Sequence, residues 1–366
     1  MTVHGAPEAL VSNALETGEA LPGTTGFAGE VDGTLMRDVL GRELLFFDAA
    51  EPADWSRDPT EMDKPVRLPA GAIHSDGATE CRFSLPELTP ADADSVPGLR
   101  AVLSDRFDAI DTSSLAVGFS GGVDSTLVAG GLDVPLYTVG VPESHDIAAA
   151  RSAAEMLDRP VEIVELDVET LDRLLPEVVH ATGRTNAMDV AIALPLFALG
   201  ERVRADGFDR LALGQGADEL FGGYAKVARA PEDPRVTAET VRGARREMVQ
   251  TLPRQLERDV LTLRTAGVEP VVPLLHDSVV ETALSLPAEM LVTDRGERKW
   301  ALRLAARQWV PDQVAFREKK ALQYGSLVSR ELDRLAREAG FKRRQDDHVT
   351  EYIESRVKTV PAIRDP

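Results

Sequence analysis

Two short stretches carry residue types suited to phosphate chemistry. The first, Ser120-Gly121-Gly122-Val123-Asp124-Ser125, follows the apolar run Leu115–Phe119 and leads into Thr126-Leu127-Val128-Ala129. The local pattern is a buried strand, a glycine turn and a helix start. Adjacent glycines permit positive φ and let the backbone approach a ligand closely. Successive N–H groups can then form a nest at the positive end of a helix, where phosphate binds well. No Gly-Lys-Ser/Thr follows, so this is not the Walker pattern. Asp124 instead places a carboxylate inside the loop, a hard ligand for Mg²⁺ on the phosphates. Taken alone, the loop fits a ligand-free capped turn about as well.

The second stretch is Leu213-Gly-Gln-Gly-Ala-Asp-Glu-Leu-Phe-Gly-Gly-Tyr224. Gly214 and Gly216 flank Gln215, and Asp218-Glu219 follow within one turn. Asp218 could simply cap a helix. It could equally share a metal ion with Asp124, provided that the fold brings the two stretches to one edge.

The elements between them meet that condition. Strands at Leu115–Phe119, Val134–Val139, Val161–Leu166 and Arg210–Leu213 alternate with helices at Leu99–Phe107, Asp146–Leu157, Glu169–Thr182 and Ala187–Arg204. Asp146 is the N-cap candidate of its helix. This alternation predicts an α/β fold with a doubly wound parallel sheet, whose ligands bind beyond the carboxyl ends of the strands. Both stretches fall on that edge. Beyond Tyr224 only helical periodicity is evident, at 238–250, 255–266, 278–285, 296–308 and 326–338, which predicts a helical C-terminal subdomain. Residues 27–85 read as a small β-rich unit with a hairpin over 34–47 and short strands at 66–73 and 80–85. A loose start precedes it over 1–26, and a proline-rich linker follows over 86–97. The expected division is a β-rich unit over 1–90 and a main domain over 99–366, α/β to about 225 and helical over about 235–345.

Composition narrows the function classes. The 366 residues carry 61 acidic and 41 basic side chains, a formal charge of −20, and only seven of the basic residues are Lys. A surface of that sign opposes a nucleic-acid grip and suits high salt, which screens its self-repulsion. The single cysteine, Cys81, excludes an intramolecular disulfide and a Cys-based zinc cage. The N-terminus lacks the features of a signal peptide, and the longest apolar run, 187–200, is too short to span a bilayer. A cytoplasmic protein with no membrane partner is the expectation.

The two stretches together resemble a known family. Ser120–Ser125 looks like the pyrophosphate loop of ATP-pyrophosphatase-type enzymes, and Gly214–Tyr224 is similar to the signature of the asparagine synthetase synthetase domain. Tyr137-Thr-Val139-Gly-Val141 with Asp146 resembles the adenine-side strand and its following acidic position. Arg258-Asp259, Gly267-Val-Glu269 and Pro273-Leu-Leu275 resemble the helical-domain block, and Arg317-Glu-Lys319 the Arg-x-Lys in which lysine contacts the reacting phosphate. The resemblance spans about residues 99–330. Arg37-Asp-Val-Leu-Gly-Arg-Glu-Leu-Leu-Phe-Phe47 and Leu68-Pro-Ala-Gly71 resemble the later part of the family's glutaminase domain. The cysteine nucleophile of that domain has no counterpart at Met1-Thr2, which implies a degenerate remnant and ammonia use without glutamine hydrolysis.

What the resemblance implies is ATP-dependent amide formation through an acyl-adenylate, most simply aspartate and ammonia to asparagine with release of AMP and pyrophosphate. Ser120, Gly121, Gly122, Asp124, Ser125, Val139 and Gly214 would bind ATP. Asp124 and Asp218 would hold Mg²⁺, and Lys319 would stabilise the α-phosphate. Gln215 stands where the family usually has Glu. An amide cannot act as a general base, so Gln215 could orient the amine but not deprotonate it, and Glu219 is the candidate substitute. Val271 and His276 also replace the family's usual Arg and Asp. These departures leave open an amide or lactam ligase acting on another carboxylate. A tRNA-modifying ATP-pyrophosphatase is disfavoured by the charge. A homo-oligomer or an ammonia-supplying partner is compatible with the sequence.

Overall fold

The computed structural model describes residues 2–91, 95–142, 144–230, 232–317, 324–342, 347–357 and 363–365. The N-terminal unit folds as two antiparallel sheets. Strands β1 (Thr2–His4), β2 (Ala28–Val31), β3 (Thr34–Arg37), β7 (Ala72–Ser75) and β8 (Ala78–Cys81) form the larger sheet in the order β1-β2-β3-β7-β8. Strands β4 (Phe46–Asp48), β5 (Trp55–Ser56) and β6 (Pro65–Arg67) form the smaller one, with β4 central.

The hairpin expected over 34–47 does not form. β3 pairs with β2 and β7, whereas β4 pairs with β5 and β6. The tight turn lies earlier, at Asp32-Gly33, where φ of 48° and 79° suits an Asp-Gly hairpin. Asp38 and Gly41 serve a different turn that carries the chain between sheets. The buried Arg37 guanidinium stitches it by donating to the carbonyls of Glu43 (2.7 Å), Gly41 (2.9 Å) and Leu68 (2.9 Å). Nor is the N-terminus loose. β1 pairs with β2, and a helix over Glu8–Thr17 buries Val11 and Ala14 before Gly18 ends it at φ 76°. Two buried apolar residues in ten leave little periodicity to read.

The main sheet is parallel, as expected. It runs β11 (Val161–Glu165), β10 (Leu136–Gly140), β9 (Leu115–Gly118), β12 (Arg210–Ala212) and β13 (Glu269–Val271), in that order. β13 is the strand that periodicity missed, a three-residue edge containing Pro270. Proline is tolerated there because an edge strand leaves one row of donors unpaired. Side chains alternate between two cores: Leu115, Val117, Leu136 and Ala212 face one, and Ala116, Tyr137, Val139 and Leu211 the other. Helices cover both faces, those over Ser95–Asp108 and Val123–Gly131 on the first and Val168–Thr182 and Ala187–Ala205 on the second. Ser95–Asp108 absorbs the last residues of the expected linker. Among the described residues no helix is long and apolar enough to cross a membrane.

The first core continues into the N-terminal unit, taking in Phe27, Met36 and Phe83. A buried ion cluster closes the same boundary. Arg42 pairs with Asp38 at 2.8 Å and with Asp277 at 2.7 Å, and Asp277 also accepts from the Thr24 N–H at 2.7 Å. Both Arg42 and Asp277 side chains are 1% exposed. Asp277→Ala is therefore expected to cost about 1–3 kcal/mol in urea denaturation, because it leaves Arg42 with Asp38 alone and the Gly23 and Thr24 N–H donors without their acceptor. A loss below about 1 kcal/mol would mean that water reaches Arg42.

Candidate functional site

The order β10-β9-β12 places the chain reversal between β9 and β12, whose carboxyl ends lie side by side. Crevices at such points are where open α/β sheets bind ligands. The loop after β9 is Ser120–Gly122, and the loop after β12 is Leu213–Gly216. They touch: a Cβ on Gly214 would stand 2.8 Å from the Asp124 carbonyl carbon and 3.0 Å from the Ser125 nitrogen.

The first loop is closed by its own serines. The Ser120 N–H donates to Ser125 Oγ at 3.0 Å, the two hydroxyls lie 3.0 Å apart, and Ser125 Oγ donates to the Gly122 carbonyl at 3.3 Å. Only one of the two glycines uses its conformational freedom. Gly121 has φ of +71°, and a Cβ there would meet the Ala149 carbonyl oxygen at 2.5 Å. Gly122 is extended (φ −79°) and caps the helix Val123–Gly131, which puts Asp124 in the first turn. The neighbouring helix, His145–Met156, is capped by Ser144, whose Oγ accepts from the Ile147 N–H at 3.3 Å. Asp146 is not the cap. It lies inside the first turn, where burial raises its carboxyl pKa.

Asp124 and Asp218 converge, and what joins them is a lysine that sequence reasoning did not single out. Lys299 Nζ lies 2.7 and 2.6 Å from the two Asp124 oxygens and 2.6 Å from Asp218 Oδ1. The residue is 2% exposed and adopts φ of +59°, unusual for a side-chain-bearing residue, at the start of the helix Trp300–Ala306. Burial opposes its charge, but the two carboxylates outweigh burial and raise its pKa, so it is an ammonium. Gly223 makes room: a Cβ there would fall 1.9 Å from Asp218 Oδ1 and 2.3 Å from Lys299 Cε. The scarcity of Lys in this chain was the only sequence signal for Lys299.

Two carboxylates in the first helical turns that follow adjacent strands, drawn to one cation, are a donor set that fits Mg²⁺. That ion takes hard oxygen ligands and commonly binds one or two carboxylates, with phosphate oxygens and water completing its shell. The Lys299 ammonium occupies the position of positive charge between them.

The other expected residues separate. Gln215 Nε2 donates to Asp259, and its Oε1 is buried. Glu219 turns into the core, 4% exposed, and accepts from the Tyr224 hydroxyl at 2.5 Å. Burial raises its pKa. Val139 is buried in the second core. His276 caps the helix Asp277–Leu284, its Nδ1 accepting from the Ser278 N–H at 3.1 Å. Burial, then Arg106, pushes its pKa down to about 4, so it is neutral. Lys319 lies outside the described residues. The described chain leading towards it is held by Arg303, which donates to the carbonyls of Ala315 (2.7 Å) and Arg317 (3.0 Å). Arg317 in turn reaches the Ala149 carbonyl at 3.3 Å, the group packed against Gly121.

Comparison with known proteins identifies the family. The family model described as asparagine synthase matches residues 108–247 and 226–357. A protein of Methanocaldococcus jannaschii, provisionally described as glutamine-hydrolysing asparagine synthetase 1, is 29% identical over 273 residues, covering 65% of this chain and 50% of its own length. The nodule glutamine-hydrolysing asparagine synthetase of Pisum sativum is 25% identical over 292 residues, 70% of this chain and 48% of its own. Glutamine-hydrolysing asparagine synthetase 1 of Arabidopsis thaliana is 26% identical over 229 residues, 56% of this chain and 38% of its own. The chain thus spans about half the length, or less, of these relatives.

Proposed function

The chain belongs to the asparagine synthase family, and from that premise we propose that it is an AMP-forming amide ligase that joins ammonia to aspartate. The observation that carries the reading is the convergence of Asp124, Asp218 and Lys299 beside the Gly121 loop. A substrate carboxylate attacks the α-phosphorus of ATP, and pyrophosphate leaves. Ammonia then attacks the acyl-adenylate, and AMP departs. Negative charge builds on pyrophosphate and α-phosphate oxygens, so the site needs fixed donors and cations there.

Each part has a role in that sequence. Backbone N–H groups over Ser120–Ser125 receive the pyrophosphate, with Gly214 packed against them. Lys299 supplies a buried positive charge to the same oxygens. Asp124 and Asp218 would hold Mg²⁺, which would supply charge neutralisation for the leaving pyrophosphate. The end of β10 would flank the adenine through its backbone, since the Val139 side chain is buried in the second core, and Lys319 would serve the α-phosphate. Ammonia rather than glutamine is the nitrogen source in this reading, since the single cysteine, Cys81, sits on the edge strand β8 with its thiol beside the Phe83 carbonyl and the Ser84 hydroxyl rather than beside a base.

The test is pyrophosphate release with ATP and Mg²⁺ across a panel of carboxylates, comparing ammonium with glutamine. Asparagine formed with ammonium is expected. Pyrophosphate release without asparagine would favour the second reading, an amide or lactam ligase for another carboxylate, to which the replacements at Gln215, Val271 and His276 point. Equal rates with glutamine would overturn the ammonia assignment.

A further inference from the structure

Lys299 reaches Asp124 and Asp218 from a backbone conformation that resists it. It stands at the start of the helix Trp300–Ala306 with φ of 59° and ψ of 37°, in the left-handed region. A residue with a Cβ stays there only when its surroundings over-determine the conformation, and such residues cluster where strain serves a site. The grip of the two carboxylates on Nζ is not enough. It acts at the far end of a flexible four-carbon stem, which leaves the backbone several routes to the same point.

Two arginines supply what the carboxylates do not. Arg303 lies one helical turn on and is 8% exposed. Its N–H donates to the Lys299 carbonyl at 2.9 Å, and its Nε donates to the Arg298 carbonyl at 2.8 Å. Those carbonyls belong to the two peptide planes that bracket the Lys299 Cα. Peptide units are rigid, so fixing the direction of both planes fixes φ and ψ between them. The guanidinium is anchored from outside the turn as well, with Nη1 donating to the carbonyls of Ala315 at 2.7 Å and Arg317 at 3.0 Å. Arg298 holds the opposite side. Its Nη1 donates to the carbonyl of Gly223, the residue packed against Asp218 Oδ1 and Lys299 Cε. A bridge between Val292 and Arg298 closes the loop that leads into the turn.

We propose that Arg303 is a positioning residue for turnover. Together with Arg298 it clamps the peptide planes of Lys299 and sets the ammonium between Asp124 and Asp218 before any ligand arrives. A charge fixed in advance needs no reorganisation as the phosphate oxygens become more negative. Arginine suits the task because one planar guanidinium carries donors in fixed directions and spans three carbonyls, whereas a lysine is a point donor. The effect on turnover rests on the amide-forming reading above. The effect on Lys299 does not.

The first readout needs no substrate. Acetylation of the full chain with acetic anhydride, mapped by peptide mass spectrometry, reads which lysines are open. In the wild type, Lys299 at 2% exposure is expected to stay unlabelled while the exposed Lys64 and Lys342 react. In Arg303→Gln and equally in Arg303→Lys, Lys299 is expected to label about tenfold faster or more through local opening, while circular dichroism shows both variants folded. Wild-type protection in either variant overturns the clamp.

The second readout is kcat and the ATP KM for pyrophosphate release. Arg303→Gln is expected to lower kcat roughly 10²-fold with little change in the ATP KM. In a Lys299→Met background the same substitution is expected to add less than about threefold, because groups that act as a unit are not additive. Losses that multiply in full assign the effect of Arg303 to residues 315–317 rather than to Lys299, and overturn the proposal. If Arg303→Gln does not fold, Arg298→Met leaves Arg303 in place and is read in the same two ways. If the wild type releases no pyrophosphate with any carboxylate, the amide-forming reading falls, while the labelling still decides whether the clamp holds Lys299.

Discussion

Lys299→Met is expected to lower pyrophosphate release on the order of 10²–10³-fold, the usual consequence of removing one fixed group that stabilises transition-state charge. Methionine keeps the length of the side chain and deletes only the ammonium. The same change should lower stability, because it leaves Asp124 and Asp218 facing each other without the cation that lies 2.6–2.7 Å from both. Breaking a buried pair costs about 3–5 kcal/mol. Here the carboxylates keep 21% and 22% of their side-chain surface exposed, so the loss belongs at or below the bottom of that range. Added MgCl₂ should then raise the melting temperature of the variant more than that of the wild type, since a second cation finds two uncompensated carboxylates. Turnover within tenfold of the wild type, or an identical response to MgCl₂, would show that the lysine is a structural pair alone.

Gly223→Ala is expected to damage the same point from the opposite side. The added methyl would lie 1.9 Å from Asp218 Oδ1 and 2.3 Å from Lys299 Cε, closer than any real contact, so both side chains must move. Overpacking of this kind costs about 1–3 kcal/mol. A displacement near 1 Å at a reacting centre can cost roughly 10²-fold in rate. The expected result is a kcat reduced by about that factor, with a smaller effect on stability. Gly98→Ala is the matched control, because nothing lies within 4 Å of a Cβ there and alanine favours the helix it occupies. If both variants behave alike, the tight packing around Asp218 does not serve turnover.

What the sequence makes legible here is local. Ser120–Ser125 and Gly214–Asp218 declare themselves because a glycine turn after an apolar strand is written in consecutive residues, and strand–helix alternation puts both on one edge. Lys299 is not legible in that way. It reaches Asp124 across 175 positions, and its own neighbours read as an ordinary helix start. Glu219 misleads for the converse reason. Its place beside Asp218 suggests the ligand edge, but one step along a helical turn swings it into the core against Tyr224. β13 escapes because three residues containing a proline carry no period, and it exists only through pairing with β12. The hairpin expected over 34–47 fails because two apolar segments around Asp38 and Gly41 imitate one, whereas the Asp32-Gly33 turn that does close a hairpin is flanked by short, mixed strands.

The central claim is that ATP is cleaved between its α and β phosphates at the crevice between β9 and β12. The most direct measurement is ³¹P NMR of the products formed from ATP, Mg²⁺, ammonium and aspartate, with Lys299→Met run in parallel. AMP and pyrophosphate in equal amounts, both nearly abolished in the variant, are the predicted result. ADP and inorganic phosphate, or AMP and pyrophosphate formed as fast without Lys299, would contradict it.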